Sequence, residues 1–299
     1  MNSGILLVDK PQGITSHDVV SRVRRAAGTK KVGHAGTLDP MATGLLVTGI
    51  NSSTRLLTFL VGLDKTYEAT IRLGVSTTSD DADGEVVERT DASAVDDPGI
   101  LRGIEQLSGD IDQVPTTVSA IKVDGRRAYD LAREGTKVEL KARPVTVSRF
   151  DLLARRDAMA DGLPVVDLDV VVDCTSGTYI RALARDLGRG LGVGGHLTAL
   201  RRTRIGPFDL RDAAVLDGLE VAPRLLPPAD VARRLFDVLE LTPEQTIDLG
   251  HGKKLRVDRP DSTAPIAAIT PAGLLAGLVS VSHGVVRPIV NFPTDEVSS

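Results

Sequence analysis

The chain has 299 residues, 41% of them hydrophobic, enough to fill one large domain or two moderate ones. Its net charge is −4 and its pI about 5.8, so a uniformly basic, nucleic-acid-coating surface is excluded. Cys174 is the only cysteine, which rules out an intrachain disulfide and a cysteine-based zinc cluster.

Other motifs narrow the field further. His17, His34, His196, His251 and His283 are scattered and form no HExxH pair, and no GxxxxGK loop is present, so neither a metal nor another cofactor is expected. No apolar run is long enough to span a membrane. The start, MNSGILLVDKPQG, lacks the basic residues and longer apolar core of a secretion signal, and a cytoplasmic protein is expected. The charge is unevenly spread. Thr77–Asp112 carries eleven acids against Arg89 and Arg102, whereas Ile121–Arg156 carries ten basic residues against five acids. Arg22–Lys31 and Arg201–Arg204 are further basic clusters, so local faces can attract phosphates although the whole is acidic.

In chain order, Gly4–Asp9 reads as a strand and KPQG, Lys10–Gly13, as a turn. Thr15 or Ser16 caps a helix with Val19, Val20 and Val23 on one face. The run GHAGTLDPMATGLL, Gly33–Leu46, sets the acid Asp39 among glycines and small residues, which suits a shaped loop. Its Asp-Pro pair also fits an ordinary helix start, with Asp39 as N-cap and Pro40 at the first helical position. Leu45–Ile50 reads as a buried strand, Asn51–Val61 as a helix and Lys65–Leu73 as an alternating strand that carries Tyr67.

The acid run within Ser76–Glu88 reads as a solvated loop rather than a metal site, and Asp96–Leu107 has helical spacing. Ser119–Arg143 is basic throughout, with a DG turn and an amphipathic helix expected over Arg126–Gly135. Pro144–Arg155 and Leu163–Val172 read as strands. Thr175 or Ser176 then caps a helix with Tyr179 and Arg181 in its opening turn. The proline-rich PRLLPP, Pro223–Pro228, marks a boundary, and short strands follow near 266–269, 274–282 and 285–291.

GHAGTLDPMATGLL resembles the active-site signature of the TruB family of tRNA pseudouridine synthases, with Asp39 at the catalytic aspartate. Further segments resemble the family in the same order: DKPQGITS, KTYEA, CTSGTYIRALARDLG and GGHLTALRRTRIGPF. The resemblance implies isomerisation of uridine 55 in the T loop of tRNA on a flipped-out base, without cofactor or metal. It implies Arg181 as the partner of Asp39, Tyr67 as the ring that packs on the uracil, and Tyr179 and Leu200 as substrate contacts. His34 is a candidate to fill the space that the flipped base leaves. Lys10, Arg126, Arg127, Arg201, Arg202, Arg204 and Lys253 are candidate RNA contacts.

The implied architecture is α+β. A mixed, mostly antiparallel sheet forms a catalytic domain over 1–225, with a thumb-like insertion at about 119–143. A small β-rich PUA-like RNA-binding domain follows over 229–299. The expected partner is the T arm and T loop of tRNA, with a monomeric protein. A tRNA-folding chaperone and a guide-dependent synthase remain alternatives.

Overall fold

Strands β1 (Gly4–Lys10) and β3 (Thr43–Ile50) are apolar on both faces because both faces are covered. Leu6, Val8, Leu46 and Ile50 meet Val19, Val20 and Val23 of helix α1 (Ser16–Ala27) on one side. Ile5, Leu7, Leu45 and Val47 join a second cluster on the other. This is the environment in which a strand reads as a continuous apolar run instead of an alternating one. The cap of α1 is Thr15: its hydroxyl accepts from the Asp18 amide while the Asp18 carboxylate accepts from the Thr15 amide. Gly28, at φ 61°, closes the other end in the left-handed conformation that glycine tolerates.

The computed structural model describes residues 3–116 and 140–292, together with the backbone of 122–123 and 126–127. In the following segment a 3-10 turn (Asn51–Leu56) runs into the short helix α2 (Leu57–Val61), where one continuous helix was expected. Strand β2 (Val32–Ala35) pairs with β3, and β4 (Lys65–Leu73) follows α2. The hairpin β5–β6 (Val75–Thr77, Val86–Arg89) carries the acidic turn, and α3 (Asp97–Gln106) leads to β7 (Gly109–Gln113). Lys122–Val123 (β8) pairs with Arg126–Arg127 (β9), so these two arginines belong to a strand and not to the start of the expected helix. The rest of that helix lies outside the described residues.

Two long strands, β10 (Arg143–Ala160) and β11 (Leu163–Cys174), precede helix α4 (Ile180–Gly190), β12 (Gly195–Ile205) and the short β13 (Phe208–Asp209) and β14 (Ala214–Val215). The main sheet runs β14-β1-β3-β12-β4-β11-β10-β7. Only β1–β14 and β3–β12 are parallel, so the sheet is mixed and mostly antiparallel, as expected. Tyr67, Ile71, Leu168 and Val172 face Ile100 and Ile104 of α3 and Leu183 and Leu187 of α4, and this cluster forms the largest core.

A second sheet is formed by β15 (Asp237–Glu240), β16 (Ser262–Ile269), β17 (Leu275–Ser282) and β18 (Val285–Asn291). The proline-rich stretch before it is stitched to the main sheet, since Leu226 and Ile5 exchange two backbone hydrogen bonds of 2.8 and 2.9 Å. Helix α5 (Pro228–Leu235) and strands β16 and β17 then share an apolar cluster with β1 and β3.

Gly44 marks the tightest crossing in the main sheet. Its φ is 100°, and a Cβ there would lie 2.3 Å from the Arg202 carbonyl oxygen. Gly44→Ala combines a left-handed backbone with a clash against main chain, and is expected to destabilise the fold by about 3 kcal/mol. Urea unfolding checks this; a loss below about 1 kcal/mol would mean that the crossing relaxes freely.

Candidate active site

The loop between β2 and β3, residues 36–42, begins no helix at Asp39, so the Asp-Pro pair is not the N-cap that it also resembled. Side chains from distant parts of the chain bind its carbonyls instead. Arg202 donates to Gly36 O at 2.9 Å, Thr37 O at 3.5 Å and Leu45 O at 2.8 Å. Ser16 brackets Leu38, donating to its carbonyl at 3.1 Å and accepting from its amide at 2.9 Å. Lys10 donates to Ala42 O at 2.6 Å and Pro40 O at 3.3 Å, and the Gly13 amide also reaches Pro40 O. Each bond removes a backbone acceptor that burial would otherwise leave unpaired, and together they fix the loop.

Asp39 projects from this loop toward α4. Arg181, in the first turn of that helix, places Nε 3.1 Å from Asp39 Oδ2. The same guanidinium reaches Asp81 Oδ2 at 3.3 Å and donates to Ser79 O at 2.8 Å. The Arg181 and Asp81 side chains are 4% and 5% exposed, while that of Asp39 keeps 39% of its surface. One arginine is therefore shared by a buried carboxylate and one that opens on a cavity. Burial raises the Asp39 pKa above the usual aspartate value; Arg181 opposes the rise and Asp81 adds to it.

The cavity that Asp39 opens on has a volume of about 230 Å³. Tyr67, Tyr179, Arg181, Leu200, Lys65 and Arg202 are among its walls. Tyr67 stands on β4 opposite Arg202 of β12. Burial raises the Tyr67 pKa, and Arg202 works against that shift. Tyr179 is the N-cap residue of α4, and its backbone amide and carbonyl are both held by the Gln113 side chain, at 2.8 and 3.1 Å. The expected cap from Thr175 or Ser176 is not formed. Thr175 instead accepts from the Thr146 amide, and Ser176 donates to Val61 O. His34 does not line the cavity; it sits on β2, with its ring edge-on to His17 at 5.5 Å.

The cavity thus joins a held carboxylate, a guanidinium, a tyrosine and an apolar side chain, the equipment for nucleophilic work on a flat ring. Comparisons with known proteins give the chain a family. Residues 24–180 match the TruB family pseudouridylate synthase (N terminal domain), and residues 181–235 match the tRNA pseudouridylate synthase B C-terminal domain. The tRNA pseudouridine synthase B of Leifsonia xyli subsp. xyli is 55% identical over 303 aligned residues, covering 100% of this chain and 99% of the relative. That of Corynebacterium glutamicum (strain ATCC 13032) is 55% identical over 92% of this chain and 91% of the relative. The chain belongs to the TruB family of pseudouridine synthases. It is therefore an isomerase. The crystal structure of a Cbf5-Nop10-Gar1 complex has the same fold, at a TM-score of 0.71 and 24% identity, over 99% of this chain and 87% of that one.

Within this TruB-family chain, several expectations need correction. Lys10 is 0% and Arg202 1% exposed, and both donate to loop carbonyls, so they lie beneath the surface and not on the exposed basic face that was expected. Arg201 pairs with Asp9 at 2.7 Å, Arg204 donates to Thr66 Oγ1, and Lys253 pairs with Asp248 at 2.8 Å; all three keep surface for further contacts. The side chains of Arg126 and Arg127 lie outside the described residues. The acidic turn is not simply solvated. Asp81 is 3% exposed and held by the Ser79 hydroxyl and the Asp83 amide. No feature of DDADG sets Asp81 apart from its neighbours Asp80 and Asp83. Ser16 and Gln113, likewise ordinary in sequence, were also missed.

The shared arginine gives a test in two directions. The acid limb of kcat/KM reports ionisation of the free enzyme, here of Asp39. Arg181→Met removes the charge that restrains the Asp39 pKa, so the limb should move to higher pH and the rate at neutral pH should fall by about 100-fold or more. Asp81→Asn removes a neighbouring negative charge, so the limb should move to lower pH. A limb that stays put in both variants would show that Asp39 is not the titrating group.

Proposed function

We propose that this enzyme converts uridine 55 in the T loop of tRNA to pseudouridine, with Asp39 as the reacting carboxylate. The single observation that carries the reading is the Asp39–Arg181 ion pair at the cavity wall, facing Tyr67 and Leu200. The names of the relatives, tRNA pseudouridine synthase B, support tRNA as the substrate. The isomerisation breaks the bond between C1′ and N1, turns the ring and rejoins it through C5. It consumes no co-reactant, since the proton lost from C5 is balanced by one gained at N1. Asp39 attacks C1′, attacks C6, or takes a sugar proton as the base departs. Each route requires the ionised carboxylate, which Arg181 favours.

The base must leave the folded loop to reach the cavity, at a cost of a few kcal/mol. Stacking on Tyr67 returns about 1–3 kcal/mol of that. His34, on the strand that leads into the loop of Asp39, fills the place the base vacates. The four-stranded C-terminal sheet serves as a PUA-like RNA-binding unit and, with Lys253, holds the arm beyond the T loop. No helix among the described residues is long and apolar enough to cross a membrane. The enzyme acts in the cytoplasm, as a monomer on free tRNA.

Tritium release from C5-labelled uridine in one unmodified tRNA transcript tests the reading. The wild type should release label from a single T-loop site, and Asp39→Asn should release none. Tight binding without release by the wild type would overturn the proposal. For His34→Ala, turnover should fall at least about tenfold more on folded tRNA than on an unstructured fragment, because only the folded substrate resists flipping. Equal losses on both substrates would remove the space-filling role.

A further inference from the structure

Two deeply buried cations, Arg202 and Lys65, line the reaction cavity, and a third, Lys10, lies beneath the loop of Asp39. Lys10 is 0%, Arg202 1% and Lys65 6% exposed. Lys10 and Lys65 direct their ammonium groups to backbone carbonyls, Lys65 to Leu63 O at 2.6 Å and Val61 O at 3.1 Å. Arg202 is bonded to the loop carbonyls and lies across from Tyr67 on the neighbouring strand. Among the described residues none of the three has a carboxylate within ion-pair distance. Two of the nearby acids, Asp39 and Asp81, share Arg181. The charged residues that line the cavity are Asp39 against Lys65, Arg181 and Arg202, with Asp64 near Lys65 and Asp18 and Asp83 near Lys10 but outside ion-pair distance. Carbonyl dipoles solvate a buried cation but do not neutralise it, and an uncompensated buried charge is costly.

Two of these cations meet at the cavity. The Arg202 Nη1 and the Lys65 Cε both come within 3.5 Å of the point where a side chain at Gly36 would begin. Gly36, Lys65 and Arg202 all line the cavity. Burial lowers Lys65 to about 8, with Arg202 adding and Asp64 opposing, and lowers Lys10 to about 8, with Asp39 opposing and Arg202 adding. Cys174 also lies close to Lys65, but burial pushes its thiol up to about 11, so it supplies no counter-charge at neutral pH.

Resting on the isomerase reading above, we propose that this excess positive charge holds the uracil ring as an anion, with Arg202 and Lys65 as the residues that stabilise it. The chemistry needs such a site by every route. If C1′–N1 breaks first, its electron pair stays on the ring as an anion spread over N1 and the carbonyl oxygens. If Asp39 adds to C6, the C5–C6 pair moves toward C5 and O4 and the ring again carries one negative charge. Preorganised positive charge in a water-poor site stabilises such a species where it forms. Arg202 thus has two tasks: it fixes the loop of Asp39, and it sets the field in which the ring becomes negative.

A T-arm hairpin with 6-azauridine at the target position tests this. The analogue has the shape of uridine, but its electron-poor ring loses the N3 proton more readily, and 15N NMR follows that ionisation in the free and the bound hairpin. Binding to the wild type should favour the ionised ring at least about tenfold, a fall of one pKa unit or more. Arg202→Gln and Lys65→Met should each lose most of that shift while still binding the hairpin, and Arg202→Lys should keep part of it. Circular dichroism separates a lost fold from a lost field, and Lys65→Met serves if Arg202→Gln does not fold. A bound ring whose pKa is unchanged or raised would overturn the inference. Tritium release from the ordinary uridine hairpin, measured alongside, keeps the two readings apart. Release without a shift leaves the isomerase standing and removes the anion site, whereas a hairpin that neither binds nor reacts removes both.

Discussion

The structure depends on how the backbone of one short loop is held. Residues 36–42 leave the β2–β3 hairpin without the support of a helix or a sheet, yet Asp39 must keep a fixed direction. The solution is to bind the loop's carbonyls with donors that arrive from elsewhere: Lys10 at the end of β1, Ser16 at the start of α1 and Arg202 in the middle of β12. Lys10 and Arg202 are themselves placed by the main sheet, where β1 and β12 flank β3 on either side, and Ser16 by the helix that packs on it. Loop geometry is therefore a property of the whole sheet. The close crossing of Gly44 and Arg202 is where that dependence is most direct.

The same arrangement governs the charge of Asp39. An isolated aspartate–arginine pair, with the guanidinium devoted to one carboxylate, would normally lower the aspartate pKa. Here the direction is upward, because burial acts first and the Arg181 charge is divided between Asp39 and Asp81. Sharing gives a carboxylate that is oriented by Arg181 without being fully neutralised by it. A group held in place but not tightly paired is better suited to form a new bond than one locked in a closed salt bridge. The acidic hairpin β5–β6 thus contributes to the active site although none of its residues lines the cavity.

Sequence patterns revealed the elements that repeat with a period and the residues that carry the family signature. Alternation in KTYEATIRL, the capped valine stripe of α1 and the long apolar strand at 163–174 all survive in the fold, because burial on one face imposes the pattern directly. The burial of Lys10 and Arg202 left no such pattern, for the opposite reason. A basic residue in a loop or on a strand is usually solvated, and nothing in its neighbours announces that backbone carbonyls will surround it. Asp81 was hidden in the same way among identical residues. Its burial comes from the fold of the hairpin onto β12, where the Leu197 amide donates to Asp80 O at 3.1 Å. Such contacts join positions far apart in sequence, and no local pattern encodes them.

Buried cations without carboxylate partners are a poor way to stabilise a protein. Apolar residues of similar volume in place of a buried charge are often neutral or stabilising by about 1–4 kcal/mol. A core selected for stability alone would therefore not retain Lys65 and Arg202 at one cavity and Lys10 beneath its loop. Their carbonyl bonds recover part of the desolvation cost, and they do so by gripping the loop on which the chemistry depends. The remaining imbalance is a standing electrostatic strain, located where a negative ring would relieve it. Stability given up at that point is consistent with an active site prepared for a charge that exists only during the reaction.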